Sequence, residues 1–279
     1  QDVTAFFPLL LIAIEERVNN NRRGVFALAV ALMAIISYFF FAGEVVFCII
    51  YIIIRCFSKD FKITPRKFLG LSIEAVFGVM LAAFILLPAI MAIMGNPRTQ
   101  EHLLGYDMII YDDKFRILRI IQSFFMLPDI PARPNLFDSE TAKWSSIAGF
   151  LPLFSMAGVL SFIKQKKKHW ATKIIIICLI MACVPILNSA FSAFTSSYYA
   201  RWFFMPILIM AMMTAYSLDN AEIDMKFGIK ISAIAIFIFA LIGCLPTKVE
   251  EKLKIFSLPK YPAYFWASIM ISLACIVTL

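Results

Sequence analysis

Charge is what this sequence has least of. Asp, Glu, Lys and Arg make up 16% of its 279 residues, against roughly 25% in a soluble domain, and a soluble fold of this size would still need a charged surface. Histidine is scarcer still. The only two, His102 and His169, both fall between apolar runs and leave no His-based metal constellation. There is no Gly-rich phosphate loop, which argues against an ATP-driven pump core, and no GxSxG. The six cysteines lie within or beside apolar runs, none with a partner at metal-ligand spacing, and read as small apolar fillers rather than disulfides. The start lacks a charged n-region and a small-residue cleavage site, so it is not a signal peptide.

What is present instead is apolar sequence. Hydrophobic residues make up 62% of the chain, and mean hydropathy is +0.86. The runs repeat at roughly 17–25 residues, the length a bilayer rewards. They are continuous rather than alternating, which excludes a barrel and leaves helices, since every backbone group must be satisfied internally in lipid. Nine segments can be drawn, at residues 4–14, 24–41, 45–56, 68–94, 145–163, 174–190, 202–218, 229–245 and 264–279. The stretch from Gly24 to Phe57 is too long for one span, and Ala42-Gly43-Glu44 is expected to break it with a tight turn. The fold class expected is an all-α polytopic transmembrane helical bundle. Because the chain opens on Gln1 and stops at Leu279 inside an apolar run, it reads as a fragment of something longer.

The net charge of +8 sits in loops beside spans, where it sets orientation and meets anionic lipid rather than nucleic acid. Arg17, Arg22 and Arg23, then Arg55, Lys59, Lys62, Arg66 and Lys67, then Lys164, Lys166, Lys167, Lys168 and Lys173 fall on one side, expected to be cytoplasmic. Four lysines in the 247–263 loop run mildly against this scheme. The outer side then holds the long loop at residues 95–144. Within it, residues 113–126 place Ile117, Leu118, Ile121, Phe124 and Phe125 on one helical face, with Lys114, Arg116, Arg119 and Gln122 over much of the rest. That pattern fits a helix lying in the membrane surface, and equally one packed on the bundle. Pro128, Pro131 and Pro134 then force an extended stretch.

Polar groups at outer span ends are the candidate site residues. A span ends near Asn188, and Arg201-Trp202 opens the next. Arg201 breaks the positive-inside bias and offers a planar fork of donors suited to phosphate. Trp202 favours the headgroup level. The pair reads as a lipid-phosphate site or, equally, as a snorkelling Arg beside a belt Trp. Glu44 is an acid at membrane depth, a functional candidate by default, although a turn residue there would reach water. Glu74 calls for a structural partner, a basic residue of a neighbouring helix. Asp112 and Asp113 are candidate base or metal residues, or plain N-caps for the 113–126 helix. Arg98 and, more weakly, Arg133 add basic groups at the outer surface. No catalytic residue is assigned beyond the weak candidates Glu44, Asp112 and Asp113.

Residues 6–16 (FFPLLLIAIEE), 37–55 (SYFFFAGEVVFCIIYIIIR), 86–98 (LLPAIMAIMGNPR), 133–137 (RPNLF) and Asn188, Phe194 and Arg201-Trp202 occur in the order seen in the YfhO family of large bacterial multi-span membrane proteins, which the chain resembles over most of its length. The resemblance implies a GT-C-like glycosyltransferase. Such an enzyme moves a sugar from a polyprenyl-phosphate carrier to a teichoic or lipoteichoic acid, or related envelope polymer, on the outer face of the cell membrane. It also implies an essential Asp in a first outer loop, which would lie upstream of Gln1. Carried over by position, Arg98 and Arg201 become phosphate contacts, and Trp202 and Asn188 shape the pocket wall. Glu44 departs from the expected aromatic or polar residue and receives no role. No cofactor is implied with certainty, and a divalent metal stays open. Two rivals remain: a transporter or flippase of lipid-linked precursors, which needs ionisable residues at mid-membrane on several helices, and a non-catalytic envelope scaffold.

Overall fold

The computed structural model describes residues 2–95, 103–128, 136–137, 148–151, 156–195, 198, 200–249, 252–256 and 258–279. The chain divides into two compact units, residues 1–108 with 186–197, and residues 109–185 with 198–279.

In the first unit, α1 (Asp2–Asn19) buries Phe7, Leu10, Leu11, Ile14 and Val18 at helical spacing, the stripe that draws an amphipathic helix onto its neighbours. Gly24, at a φ of 83°, reverses the chain into α2 (Val25–Ile36). One extended residue, Ser37, separates α2 from α3 (Tyr38–Arg55). The break expected at Ala42-Gly43-Glu44 therefore lies at Ser37, and the helix runs unbroken through Gly43 and Glu44. Gly43 serves close packing rather than a turn, since a Cβ there would sit 2.8 Å from the carbonyl oxygen of Phe191. Phe47 of α3 meets Phe7 edge to face at 5.5 Å.

Thr64 caps α4 (Pro65–Leu81), its hydroxyl accepting from the Lys67 amide at 3.3 Å. Proline at the first helical position adds a preset φ. The single span expected over 68–94 is instead a bent pair. α4 gives way to α5 (Ala83–Met94) through a 76° bend. Packing holds that bend, because Ala82 and Leu86 close against Ala34 with Phe41 beside them. In the middle of α4, Glu74 has the structural partner its depth calls for, the guanidinium of Arg17. Nearby, Arg55 grips Glu15 at 2.7 Å and Asp60 at 2.9 Å, and the Tyr51 hydroxyl donates to Glu15 at 2.7 Å.

In the second unit, α6 (Arg116–Phe125), α7 (Ala157–Gln165), α8 (Trp170–Cys183), α10 (Phe204–Asp219), α11 (Lys226–Gly243) and α12 (Pro262–Val277) pack around two seams. The short α9 (Pro185–Ser189) lies where the chain passes back to the first unit. Small residues close the α7–α11 seam, where Gly228 leaves no room for a Cβ beside the Ala157 carbonyl and donates its amide to Ser161 Oγ at 3.1 Å. Ser217 of α10 donates to the Gly158 carbonyl at 3.0 Å. Ile236, Phe239, Phe265 and Ile269 build the α11–α12 core. Among the described residues, the regular structure is helical except for one antiparallel hairpin, β1 (Thr247–Val249) with β2 (Lys252–Lys254), which pairs Lys248 with Leu253.

Among the described residues, three helices, Tyr38–Cys56, Arg201–Asp219 and Lys226–Gly243, are long and apolar enough to cross a membrane, or up to five if each bent pair is one span. The count of about nine apolar helical segments is not confirmed. In the apolar segment at 145–163, for example, the helix among the described residues begins only at Ala157, with α7. Large apolar side chains nonetheless face outward in both units, among them Phe77, Phe84, Phe237 and Met270. An apolar surface of this extent needs lipid or a partner to cover it.

Candidate functional site

α6 is built inside out. Its sequence alternates polar and apolar stripes, and the polar one faces the protein. Arg116, Arg119, Gln122 and Ser123 are buried, whereas Ile117, Leu118 and Ile121 are 40–48% exposed. The arginines expected on the outer surface of this helix are therefore interior groups. Asp113 organises its start. One carboxylate oxygen accepts from the Phe115 amide at 3.0 Å, and the other takes Arg119 at 3.0 Å and Arg116 at 3.5 Å. The N-cap position of α6 is Phe115, with no side-chain cap, so Asp113 acts as an ion-pairing residue just ahead of the helix rather than as its N-cap, while Asp112 beside it is exposed.

Two tyrosines complete the cluster. The Arg116 guanidinium lies 4.2 Å from the centre of the Tyr198 ring, a cation–π contact. Tyr111 meets the same ring edge to face at 5.4 Å and donates its hydroxyl to the Ala182 carbonyl at 2.8 Å. Burial pushes the Tyr198 phenol well above its usual range and draws the Arg116 guanidinium down. The sequence signal for this cluster was available in the spacing of Arg116, Arg119 and Gln122, which is that of one helical stripe. The two tyrosines carried no such signal.

The C-terminal half of α6 lines an apolar pocket of about 200 Å³, with Ile121, Phe124 and Phe125 on one wall and Trp202, Phe203 and Met210 on another. Trp202 is 2% exposed and stands edge to face on Phe203 at 4.8 Å. It is a core residue, not a belt tryptophan reaching the headgroups. Arg201, its chain neighbour, is exposed. Both open the short turn of 3-10 helix (Arg201–Phe203) that leads into α10.

The remaining candidates fall elsewhere. Asn188 is fully buried in the first unit, as is Glu44, which is 1% exposed with neither carboxylate oxygen hydrogen-bonded. Arg98 and Arg133 lie outside the described residues. Among the described residues, no group of three or more His, Cys, Asp or Glu side chains could hold a metal ion. The structure thus brings together Asp113 with Arg116 and Arg119, and Trp202 with the apolar pocket.

Compared with known proteins, the whole chain, residues 1–279, matches the family model described as bacterial membrane protein YfhO. No curated protein and no solved structure matches it.

Proposed function

Since this chain belongs to the YfhO family of bacterial membrane proteins, we propose that it serves a GT-C-type glycosyltransferase reaction, moving a sugar from a polyprenyl-phosphate carrier to an envelope polymer of the teichoic or lipoteichoic acid kind on the outer face of the membrane. One observation carries the reading. Arg201 is exposed at the head of α10, and Trp202 next to it forms a wall of a wholly apolar pocket. A carrier lipid needs that combination, a cation for its phosphate and an apolar slot for the first part of its tail.

In the reaction, the acceptor hydroxyl attacks the anomeric carbon, the bond from that carbon to the carrier phosphate breaks, and the phosphate leaves with the electron pair. A guanidinium at the phosphate stabilises that departing charge. A base must take the hydroxyl proton. Asp113 is already engaged by two arginines, so we assign it the positioning of α6 rather than proton transfer. Asp112 and Glu44 receive no catalytic role here.

The test is turnover of a panel of polyprenyl-phosphate sugars by purified protein, with and without a chelator to read any metal dependence. Arg201→Ala should lose a charge-assisted contact worth about 1.5–3 kcal/mol, or roughly ten- to a hundredfold in donor use. Arg201→Lys keeps the charge but not the bidentate fork and should recover only part of this. Normal turnover in both variants, with normal membrane insertion, would leave Arg201 as an interfacial anchor. A transport reading has one observation in its favour, the buried acid Glu44 inside the candidate span α3. It would require carrier lipid to cross vesicles containing the protein without sugar transfer.

A further inference from the structure

The first unit holds a second, larger cavity that the glycosyltransferase reading does not use. It measures about 460 Å³ and is lined by α1, α2, α3 and α4, a volume ordinary for a small-molecule site. Leu71, Val76, Val79, Val45 and Ile49 make much of its wall, with the rings of Phe26, Phe41 and Phe68. Among the described lining side chains, two carry polar atoms of ordinary hydrogen-bonding strength, Ser72 and Glu44. Ser72 is satisfied, since its hydroxyl donates to the Phe68 carbonyl at 3.0 Å. Glu44 is not. It is 1% exposed, and both carboxylate oxygens lack a hydrogen-bond partner.

A buried carboxyl group without donors is unfavourable in either protonation state, so its survival in an otherwise apolar wall calls for a ligand that supplies them. The complement of this wall is defined by chemistry. It is an apolar body that carries a cationic donor, and the three aromatic rings add faces that attract a cation. We infer that this cavity binds a hydrophobic amine, its ammonium against Glu44 and its hydrocarbon between α3 and α4. An acid of the same shape would meet Glu44 as a like charge or an unpaired acceptor. An alcohol would bring a single neutral donor.

A matched series separates these cases: 4-phenylbutylamine, 4-phenylbutanol and 4-phenylbutanoate, titrated by calorimetry into the protein in lipid nanodiscs, against empty nanodiscs. The amine should bind best, by roughly tenfold or more over the alcohol, in keeping with a hydrogen bond to a charged group, and the acid should bind worst. Glu44→Gln should collapse the gap between amine and alcohol. Ala75→Phe, which fills the cavity from α4 and leaves Glu44 in place, should weaken all three. Equal binding of amine and alcohol would make the cavity a slot for lipid tails and overturn the inference. So would an amine preference that survives Glu44→Gln, or the absence of any saturable binding. Should Glu44→Gln fail to insert, the order of the three ligands on the unaltered protein decides alone. Because Glu44 and the Arg201–Trp202 pocket belong to different units, loss of either proposal leaves the other standing.

Discussion

Arg17 and Glu74 form a buried ion pair, their side chains 8% and 11% exposed. A pair of this kind contributes little net stability against an apolar replacement, but breaking it strands a charge. Glu74→Leu should therefore destabilise the first unit by about 3–5 kcal/mol, while Arg17→Met with Glu74→Leu should recover most of the loss. Thermal unfolding of the three proteins in one detergent measures both. Sequence alone states that Glu74 needs a basic neighbour, because an acid at that depth is expensive. It does not say which, because the partner is 57 residues away and only the packing of α1 on α4 selects it. Glu44 shows the same limit: its depth was legible, whereas its lack of any donor depends on what α1, α2 and α4 present to it.

At the scale of the element, α6 separates what periodicity tells from what it leaves open. Its two stripes are legible in the order of residues, but periodicity has no sign, and whether the apolar stripe faces inward depends on the surrounding solvent. In water it would face the core; here the polar stripe does. Arg119→Leu should cost about 3–5 kcal/mol by stranding part of the Asp113 charge, while Ile117→Ala on the exposed stripe should change unfolding by about 0.5 kcal/mol or less. If that stripe lies in lipid, a tryptophan introduced as Leu118→Trp should be quenched by brominated acyl chains, and quenching by aqueous acrylamide alone would place it in water. The helix breaks were the least readable elements. Gly43 resembles a turn signal yet sits inside α3. Ala82 carries no signal at all, because tertiary packing makes the bend there.

Across the whole molecule, the apolar runs identify the helices well and count the membrane crossings poorly, since a run of sufficient length can fold as a bent pair or as a short helix with an irregular lead. The basic clusters predict which ends share a side. Arg17 and Arg55, from two of those clusters, each pair with an acid on a neighbouring helix of the first unit. Sidedness itself is open to measurement. Cys56 is the exposed native cysteine and is replaced first. Lys167→Cys should then resist an impermeant thiol reagent in intact cells, and Asp107→Cys should react. The reverse pattern would invert the topology.

The interleaving of the two units sets an order in time. The first unit draws on residues 1–108 and again on 186–197, so its last strip of chain leaves the ribosome only after residues 109–185. At about 5–20 residues per second, that interval lasts roughly 4–15 s. Until Phe191 is made, the bare backbone at Gly43 has nothing to close against it. During those seconds α1–α5 form a bundle that lacks its last strip, the period when a quality-control protease would find it easiest to engage.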